Sequence, residues 1–294
     1  MYRLPGAEYV KARSMREVLE VLSQNPGAKV LAGGTDLVID LKTGRVKAEK
    51  IVDIGELTEL RYIVDNPFSL AIGALTTIQQ ILDSPLVKSK APLLWEAASQ
   101  FAYWQIRNRA TVGGNLCNAS PAADLAPPLL VYEAVVKAVS LKGERFIPIK
   151  DFFKGYRQTA LGEDEILAEV LIPYRMFQGY GSAYGKIGRR RGHDISVVSA
   201  AIAVKIEEGV ISDVKVALGS VAPVPIRARS VEDYLRGKQP LVDIIEEAGK
   251  IVLNDISPIS DVRAPAEYRA RIAQVLVRDL LSEAVKKCFR GGFE

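Results

Sequence analysis

The chain is poor in the residues that usually hold metal ions. Its 294 residues include one histidine, His193, and two cysteines, Cys117 and Cys288. Structural zinc and iron–sulfur sites take several cysteine or histidine ligands at short spacings, so the composition predicts no metal site on this chain. Two well-separated cysteines without an export signal favour free thiols in a reducing cytoplasm.

Long apolar runs and an excess of one charge are also missing. No stretch reaches the about 18 apolar residues of a membrane span, so we expect no transmembrane segment. The opening MYRLPGAEYVKARS lacks the apolar core of a signal peptide, and we expect a cytoplasmic protein. With 39 basic and 35 acidic residues and a net charge of +4, the chain is too balanced to predict nucleic-acid binding.

The order of apolar patterns and turns predicts three lobes and an α+β fold. Residues 1–57 contain a helix opened by a Ser14–Glu17 capping box and short strands in AKVLAGG and EKIVDIG. Residues 58–173 contain a second α/β lobe with a hairpin turn at Lys142–Gly143. In residues 174–294, three strands predict an antiparallel meander with a turn at EEG, and three helical stretches follow it.

A glycine pair follows a predicted strand in VLAGGTDLV, residues 30–38. Adjacent glycines can expose consecutive backbone N–H groups as a concave phosphate site, to which Thr35 would add a hydroxyl. The segment is neither a Walker loop nor a Rossmann fingerprint, because both of those need other residues after the first glycine. The alternative interpretation is a tight turn with a capping aspartate, Asp36.

A second segment, ATVGGNLCNASPAAD at residues 110–124, has a similar composition. A carboxylate accepts strongly from O–H groups, so its closing aspartate suits a sugar or ribityl hydroxyl. The alternative is a long polar loop that caps the helix in PAADLAPPLL. Two phosphate-type segments in one chain indicate a pyrophosphate and therefore a dinucleotide. The small donors and bare backbone of this segment are Thr111, Gly113, Gly114, Asn115, Asn118 and Ser120.

Candidates for acid–base or nucleophilic catalysis are few. No G-x-S-x-G elbow is present, and His193 has no evident nucleophile beside it. Cys117 would be a nucleophile only if its thiolate were stabilised. We therefore predict no catalytic side chain, and any redox chemistry would belong to a bound cofactor.

Five segments together resemble the FAD-binding medium subunit of molybdenum hydroxylases, the family of xanthine dehydrogenase, carbon monoxide dehydrogenase and aldehyde oxidoreductase. They are AGGTDL, IGALTT, TVGGNLCNASPAAD, GRRRGHDISVVSAA and SDVRAPAEYR. They occur in the family's order and spacing over essentially the whole chain. The resemblance implies a fold of the vanillyl-alcohol-oxidase type, in which two α/β subdomains hold FAD and a C-terminal lobe contains three antiparallel strands and helices.

The resemblance also implies which residues contact FAD, with residues 30–37 around the pyrophosphate. His193 departs from the family pattern, because some relatives carry an acidic residue there, and no role is implied for it. The implied set contains no metal ligand and consists of Val30, Leu31, Ala32, Gly33, Gly34, Thr35, Asp36, Leu37, Phe101, Thr111, Gly113, Gly114, Asn115, Ser120, Asp124, Leu167 and Lys186.

The chain has no cysteine-rich segment for iron–sulfur clusters and no region for molybdopterin. The resemblance therefore implies a complex with a small iron–sulfur subunit and a large molybdopterin subunit, in which FAD passes electrons to an external acceptor. A stand-alone FAD oxidase or dehydrogenase and a non-catalytic assembly module are the two alternatives. The arginine run at 189–191 is interpreted either as surface for the iron–sulfur partner or as a solvated patch.

Overall fold

The computed structural model describes residues 6–174, 179–190 and 194–290. His193 and Arg191, two positions considered above, lie outside the described residues. In the described parts, three sheets of three or more strands form the frame, and each is built from a separate stretch of the chain. No described helix is long and apolar enough to cross a membrane.

The first sheet is parallel, with the strand order β1-β3-β2. Ser14 caps helix α1 by accepting a hydrogen bond from the backbone N–H of Glu17. The predicted capping box is only half formed, since the Glu17 carboxylate accepts from the N–H of Arg13 and not from that of Ser14. The elements are β1 (Glu8–Lys11), α1 (Met15–Gln24), β2 (Lys29–Leu31), α2 (Leu37–Lys42) and β3 (Lys50–Asp53).

The second sheet is antiparallel, with the order β4-β5-β10-β6-β7. The last of these strands in the sequence, β10, lies at the centre of the sheet. The chain passes through several helices and a small hairpin before it reaches this strand. The strands are β4 (Ile63–Asn66), β5 (Ser69–Gly73), β6 (Val135–Ser140), β7 (Gly143–Pro148), β8 (Phe153–Gly155), β9 (Gln158–Thr159) and β10 (Ile166–Pro173).

Most helices of this region lie between β5 and β6. Their apolar faces and one face of the sheet share a continuous core that also receives side chains from the third sheet, such as Ala201 and Ala217. The helices are α3 (Ile78–Asp83), α4 (Pro85–Lys90), α5 (Pro92–Ser99), α6 (Trp104–Arg107), α7 (Val112–Cys117), α8 (Ala126–Val131) and α9 (Ile149–Phe152).

The third sheet is the predicted antiparallel meander with one addition. The turn at Glu208–Gly209, where both residues have positive φ, connects β12 to β13 as the EEG segment predicts. A two-residue fourth strand, β14, extends the three expected strands. The elements are β11 (Tyr180–Ile187), β12 (Val198–Glu207), β13 (Val210–Gly219), β14 (Ile226–Arg227), α10 (Arg229–Leu235), α11 (Val242–Ile251) and α12 (Ala266–Arg290).

Polar contacts attach the third sheet and its helices to the preceding region. The Glu96 carboxylate on α5 accepts from the backbone N–H of Tyr184 at 2.8 Å and from the Lys287 ammonium at 3.1 Å. Close backbone packing fixes α12 on β11, since a Cβ on Gly181 would lie 2.0 Å from the carbonyl oxygen of Ala284. Only glycine leaves room for this contact, so the backbone of α12 lies directly against the backbone of β11.

Candidate cofactor site

The two glycine segments border one cleft of about 330 Å³. They meet where the second segment begins, since a Cβ on Gly33 would lie only 1.9 Å from the carbonyl oxygen of Arg109 and 3.2 Å from Cα of Ala110. The predicted residues that line this cleft are Val30, Ala32, Gly33, Gly34, Thr35, Asp36, Leu37, Phe101, Thr111, Gly114 and Asn115. Predicted residues from segments far apart in the chain therefore line the same cleft.

A second cleft of about 140 Å³ adjoins the first and is mostly apolar. Val30, Ala32, Gly114 and Cys117 line both clefts, so the two spaces share a wall. The second cleft brings the predicted residues Gly113 and Leu167 to the same region. Its remaining lining residues are Ile54, Ala74, Leu75, Leu161, Glu165 and Ile166.

The first glycine segment is a turn between β2 and α2. Gly34 has a φ of +75°, a backbone conformation that glycine adopts without the cost paid by other residues. The need for Gly33 is different, because the backbone of Arg109 occupies the space that its Cβ would take. Leu31 lies on β2 beside Asp53 of β3 and lines neither cleft.

The second glycine segment differs from the predicted open backbone. Val112–Cys117 is a short helix capped by Thr111, whose hydroxyl accepts from the N–H of Gly114 at 3.0 Å. Gly113 lines the smaller cleft, but its backbone N–H donates to the carbonyl oxygen of Ala74 at 2.9 Å, so the expectation of a free backbone donor is wrong at this position. Burying the side chains of this helix in the core outweighs the weak helix propensity of glycine.

Asp124 and Lys186 lie together, but outside the lining of both clefts. The Lys186 ammonium is 2.8 Å from Oδ2 of Asp124, and the Ser196 hydroxyl donates to Oδ1 at 2.5 Å. The Tyr184 hydroxyl lies 3.5 Å from the same Oδ1. Burial raises the pKa of the Asp124 carboxyl, and the adjacent ammonium and hydroxyls offset part of that rise.

Ser120 has a local role in the structure. Its hydroxyl oxygen accepts from the backbone N–H of Ala122 at 3.2 Å, which stabilises the turn before α8. It lines neither cleft. Asn118, also singled out above, does line the larger one.

The structure adds two charged residues that the sequence patterns did not indicate. Asp40 on α2 is almost fully buried, and its carboxylate is 2.6 Å from Nη1 of Arg45 and forms a second ion pair with Arg157. Both Asp40 and Arg157 line the larger cleft. They are 117 residues apart, and no local motif surrounds either, so the sequence alone gave no signal for this pair.

Cys117 has access to the clefts but lacks the features of a nucleophile. The residue contributes to the lining of both clefts. The surrounding protein atoms raise the pKa of the Cys117 thiol to about 12 through loss of solvation. The thiolate is therefore scarce at neutral pH, as expected for a residue without a catalytic role.

Because four residues line both clefts, we call the two together the joined clefts; they suit a long ligand with polar and apolar parts. Within the described chain, Asn115 Oδ1 and Arg157 Nε are buried and have no hydrogen-bond partner, and both residues line the larger cleft. Buried polar atoms are usually paired, so unpaired ones beside a cleft point to a polar ligand. No group of three or more possible metal ligands occurs within the residues described.

Two family models cover most of the chain. Residues 5–175 match the FAD binding domain in molybdopterin dehydrogenase, and residues 182–284 match the CO dehydrogenase flavoprotein C-terminal domain. The chain belongs to this family of FAD-binding subunits. The family predicted from the sequence is thereby confirmed, together with FAD as the cofactor.

Similar proteins support the same assignment over nearly the full length. The FAD-binding subunit is 37% identical to the xanthine dehydrogenase FAD-binding subunit of Escherichia coli O157:H7, covering 95% of this chain and 96% of the relative. It is 35% identical to the glyceraldehyde dehydrogenase medium chain of Sulfolobus acidocaldarius, with coverages of 95% and 98%.

Solved structures confirm the predicted α+β fold of the FAD-binding subunit. A chain of carbon monoxide dehydrogenase from Hydrogenophaga pseudoflava superposes with a TM-score of 0.93 at 32% identity, covering 97% of this chain and 99% of the other. A chain of quinoline 2-oxidoreductase from Pseudomonas putida 86 gives 0.91 at 26% identity, with coverages of 97% and 99%.

Proposed function

We propose that this FAD-binding subunit transfers electrons inside a heteromeric molybdenum hydroxylase. Electrons arrive from an iron–sulfur subunit and leave for an external acceptor. The joined clefts between the glycine segments carry this proposal, because they combine buried polar atoms with an apolar chamber. Near-complete coverage of chains named medium chain or FAD-binding subunit supports a role as one subunit among several.

The residues of the chain hold the cofactor and take no chemical step on the organic substrate. Bound FAD accepts and releases electrons singly or in pairs. The turn at residues 30–37, with Thr111, Gly114 and Asn115, binds the polar part of the dinucleotide. The apolar cleft beside Leu167 excludes water from the part it holds. The rest of the predicted contact set stays part of the proposal, with Phe101 in the lining of the larger cleft and Leu31 and Ser120 outside both linings.

The Asp124–Lys186 pair belongs to the proposed set in a different way. It lies outside the cleft lining but links the region matched by the FAD-binding model to the C-terminal domain. We propose that this pair fixes the C-terminal domain beside the cofactor. We likewise propose subdomain boundaries near residues 57 and 173, and a cytoplasmic location.

The proposed partners are a small iron–sulfur subunit and a large molybdopterin subunit. Full-length chain carrying an affinity tag is isolated from its native host, and the co-purifying chains are identified by mass spectrometry. Iron, acid-labile sulfide and molybdenum are measured in the same sample. We expect two additional chains, with metals in proportion to them.

Two other outcomes would replace the proposal. A lone flavin-containing chain that oxidises a substrate without partners would indicate a stand-alone oxidase or dehydrogenase. Co-purifying chains without flavin in any preparation would indicate an assembly module, and the joined clefts would then have no cofactor role.

A further inference from the structure

Arg157 is fixed beside the second glycine segment by its backbone. It lies in the turn between β8 and β9 with a φ of +56°, a conformation rare for residues other than glycine. Its backbone N–H donates to the carbonyl oxygen of Ala119 at 3.1 Å. The hairpin therefore holds this arginine against the cleft despite an unfavourable backbone conformation.

The guanidinium of Arg157 reaches across to the first lobe. Nη1 donates to Oδ2 of Asp40, while Arg45 pairs with the other oxygen, Oδ1. Asp40 is 3% exposed, so its carboxylate is a fixed anchor for the guanidinium. The ring of Tyr156 lies 5.8 Å from the guanidinium carbon and restricts it further.

The charges at this point favour an added anion. One carboxylate, Asp40, is shared by two guanidinium groups, Arg45 and Arg157, which leaves one net positive charge. Asp36, the other acidic residue in this lining, has its carboxyl pKa raised by burial and by the charge of Asp40, while the charge of Arg157 offsets part of that rise. The lining also contains Lys29, so the positive groups Lys29, Arg45 and Arg157 outnumber the carboxylates Asp36 and Asp40, which favours an incoming phosphate.

We propose that Arg157 binds the pyrophosphate of FAD and that Asp40 positions its guanidinium for this contact. The inference rests on the proposed cofactor cleft and adds a residue to it from outside both glycine segments. The contact with Asp40 uses Nη1, and the buried Nε has no hydrogen-bond partner among the described residues, so Nε is one of the donors that remain for a phosphate. A guanidinium offers several donors in one plane, the geometry that phosphate oxygens accept best.

The proposal is tested by binding titrations on the full chain. Dissociation constants for FAD are measured by flavin fluorescence in wild type, Arg157→Gln, Arg157→Lys and Arg236→Gln. The last variant is the control for the loss of one guanidinium, since Arg236 pairs, among the described residues, with Asp213 and Asp233 of the C-terminal region. We expect a loss of roughly 10- to 100-fold for Arg157→Gln, a smaller loss for Arg157→Lys, and none for Arg236→Gln.

A competition experiment separates a phosphate contact from a purely structural role. ADP carries a pyrophosphate and adenosine does not, so displacement of FAD by each is compared between variants. We expect Arg157→Gln to weaken ADP as strongly as FAD and to leave adenosine unchanged. Equal weakening of ADP and adenosine would overturn the proposal, as would unchanged affinity for FAD.

A fold defect in the single variant is controlled by a second substitution. Arg157→Gln leaves the buried Asp40 with one guanidinium, that of Arg45, instead of two, so Arg157→Lys, which keeps a positive charge at this point, is the second variant. Thermal unfolding selects the better folded of the two for the ADP and adenosine comparison. Failure of the wild-type chain to bind FAD would contradict the proposed cofactor cleft itself, whereas normal FAD binding by a folded variant contradicts only the role of Arg157.

Discussion

The ammonium of Lys186 lies 2.8 Å from the carboxylate of Asp124, and both side chains are less than one-tenth exposed. The two residues belong to regions matched by different family models. Ser196 and Tyr184, both from the C-terminal side, complete the hydrogen bonds to Asp124. A buried charge pair of this kind makes the two regions dependent on each other, because neither charge tolerates burial alone.

Removing one partner of that pair should therefore be costly. Asp124→Asn leaves the Lys186 ammonium buried without its counter-charge, and we expect a loss of about 3–5 kcal/mol in the free energy of unfolding. Urea denaturation measures this loss. The control is Asp164→Asn, which breaks an exposed pair with Lys142 and should change stability little. Equal losses for both variants would contradict the structural role of the buried pair.

A second buried cation predicts an acid-dependent loss of stability. The guanidinium of Arg269 is buried and pairs with Asp261 at 2.8 Å. Burial alone would raise the pKa of the Asp261 carboxyl, but hydrogen bonds and charge from Arg263, with the charge of Arg269, lower it below its usual value.

Because the folded state lowers this pKa, the ionised carboxylate stabilises the fold above the unfolded pKa of about 3.9. That contribution is lost as the pH falls through the lower folded pKa. We expect the stability difference between wild type and Asp261→Asn to be constant between pH 5 and 7 and to shrink below about pH 4. Chemical denaturation across this range measures it, and a difference independent of pH would refute the assignment.

The glycines of the first turn should differ in their tolerance of alanine. A Cβ at Gly33 would meet the Arg109 carbonyl oxygen at 1.9 Å, a backbone atom that cannot rotate away. We expect Gly33→Ala to lose more than the about 1–3 kcal/mol typical of overpacking. Gly6→Ala, where a Cβ meets nothing within 4 Å, is the control. Wild-type thermal stability in Gly33→Ala would show that the two glycine segments do not meet as described.

Cys117 gives a direct probe of where the cofactor lies. In a Cys288→Ser background, alkylation by iodoacetamide reports on Cys117 alone. Because its thiol pKa is about 12, the thiolate fraction and the alkylation rate should rise about tenfold per pH unit between pH 7 and 9. Saturating FAD should slow the reaction, since Cys117 lines both clefts. An alkylation rate of Cys117 that FAD does not change would show that the cofactor binds elsewhere.

The sequence predicted the elements whose signals are local. The strands of the third sheet follow from β-branched residues around the Glu208–Gly209 turn, and α1 follows from its cap at Ser14. Helix α7 was missed because two glycines and an asparagine have weak helix propensity. The burial of Val112 and Leu116 decides its conformation, and burial is not visible in a short segment read by itself.

The candidate site, too, was predictable only where its signals are local in the sequence. The glycine segments identified most of the cleft wall, because adjacent small residues are unusual and informative wherever they occur. The contact between Asp40 and Arg157 joins two elements that are distant in the chain, and each residue alone resembles an ordinary surface charge. The partner of Asp124 was hidden for the same reason, since only the folded chain brings Lys186 to it.

The most direct test of the account is a titration of the isolated full-length chain with FAD, followed by flavin fluorescence, with FMN as the control ligand. Gly114 lines both clefts, so the variant Gly114→Leu places a bulky side chain in the lining that they share. We predict saturable binding of FAD, much weaker binding of FMN, and loss of FAD binding in Gly114→Leu with the fold retained. A well-folded wild-type chain that binds neither flavin, or that binds FMN as tightly as FAD, would contradict a dinucleotide site between the two glycine segments.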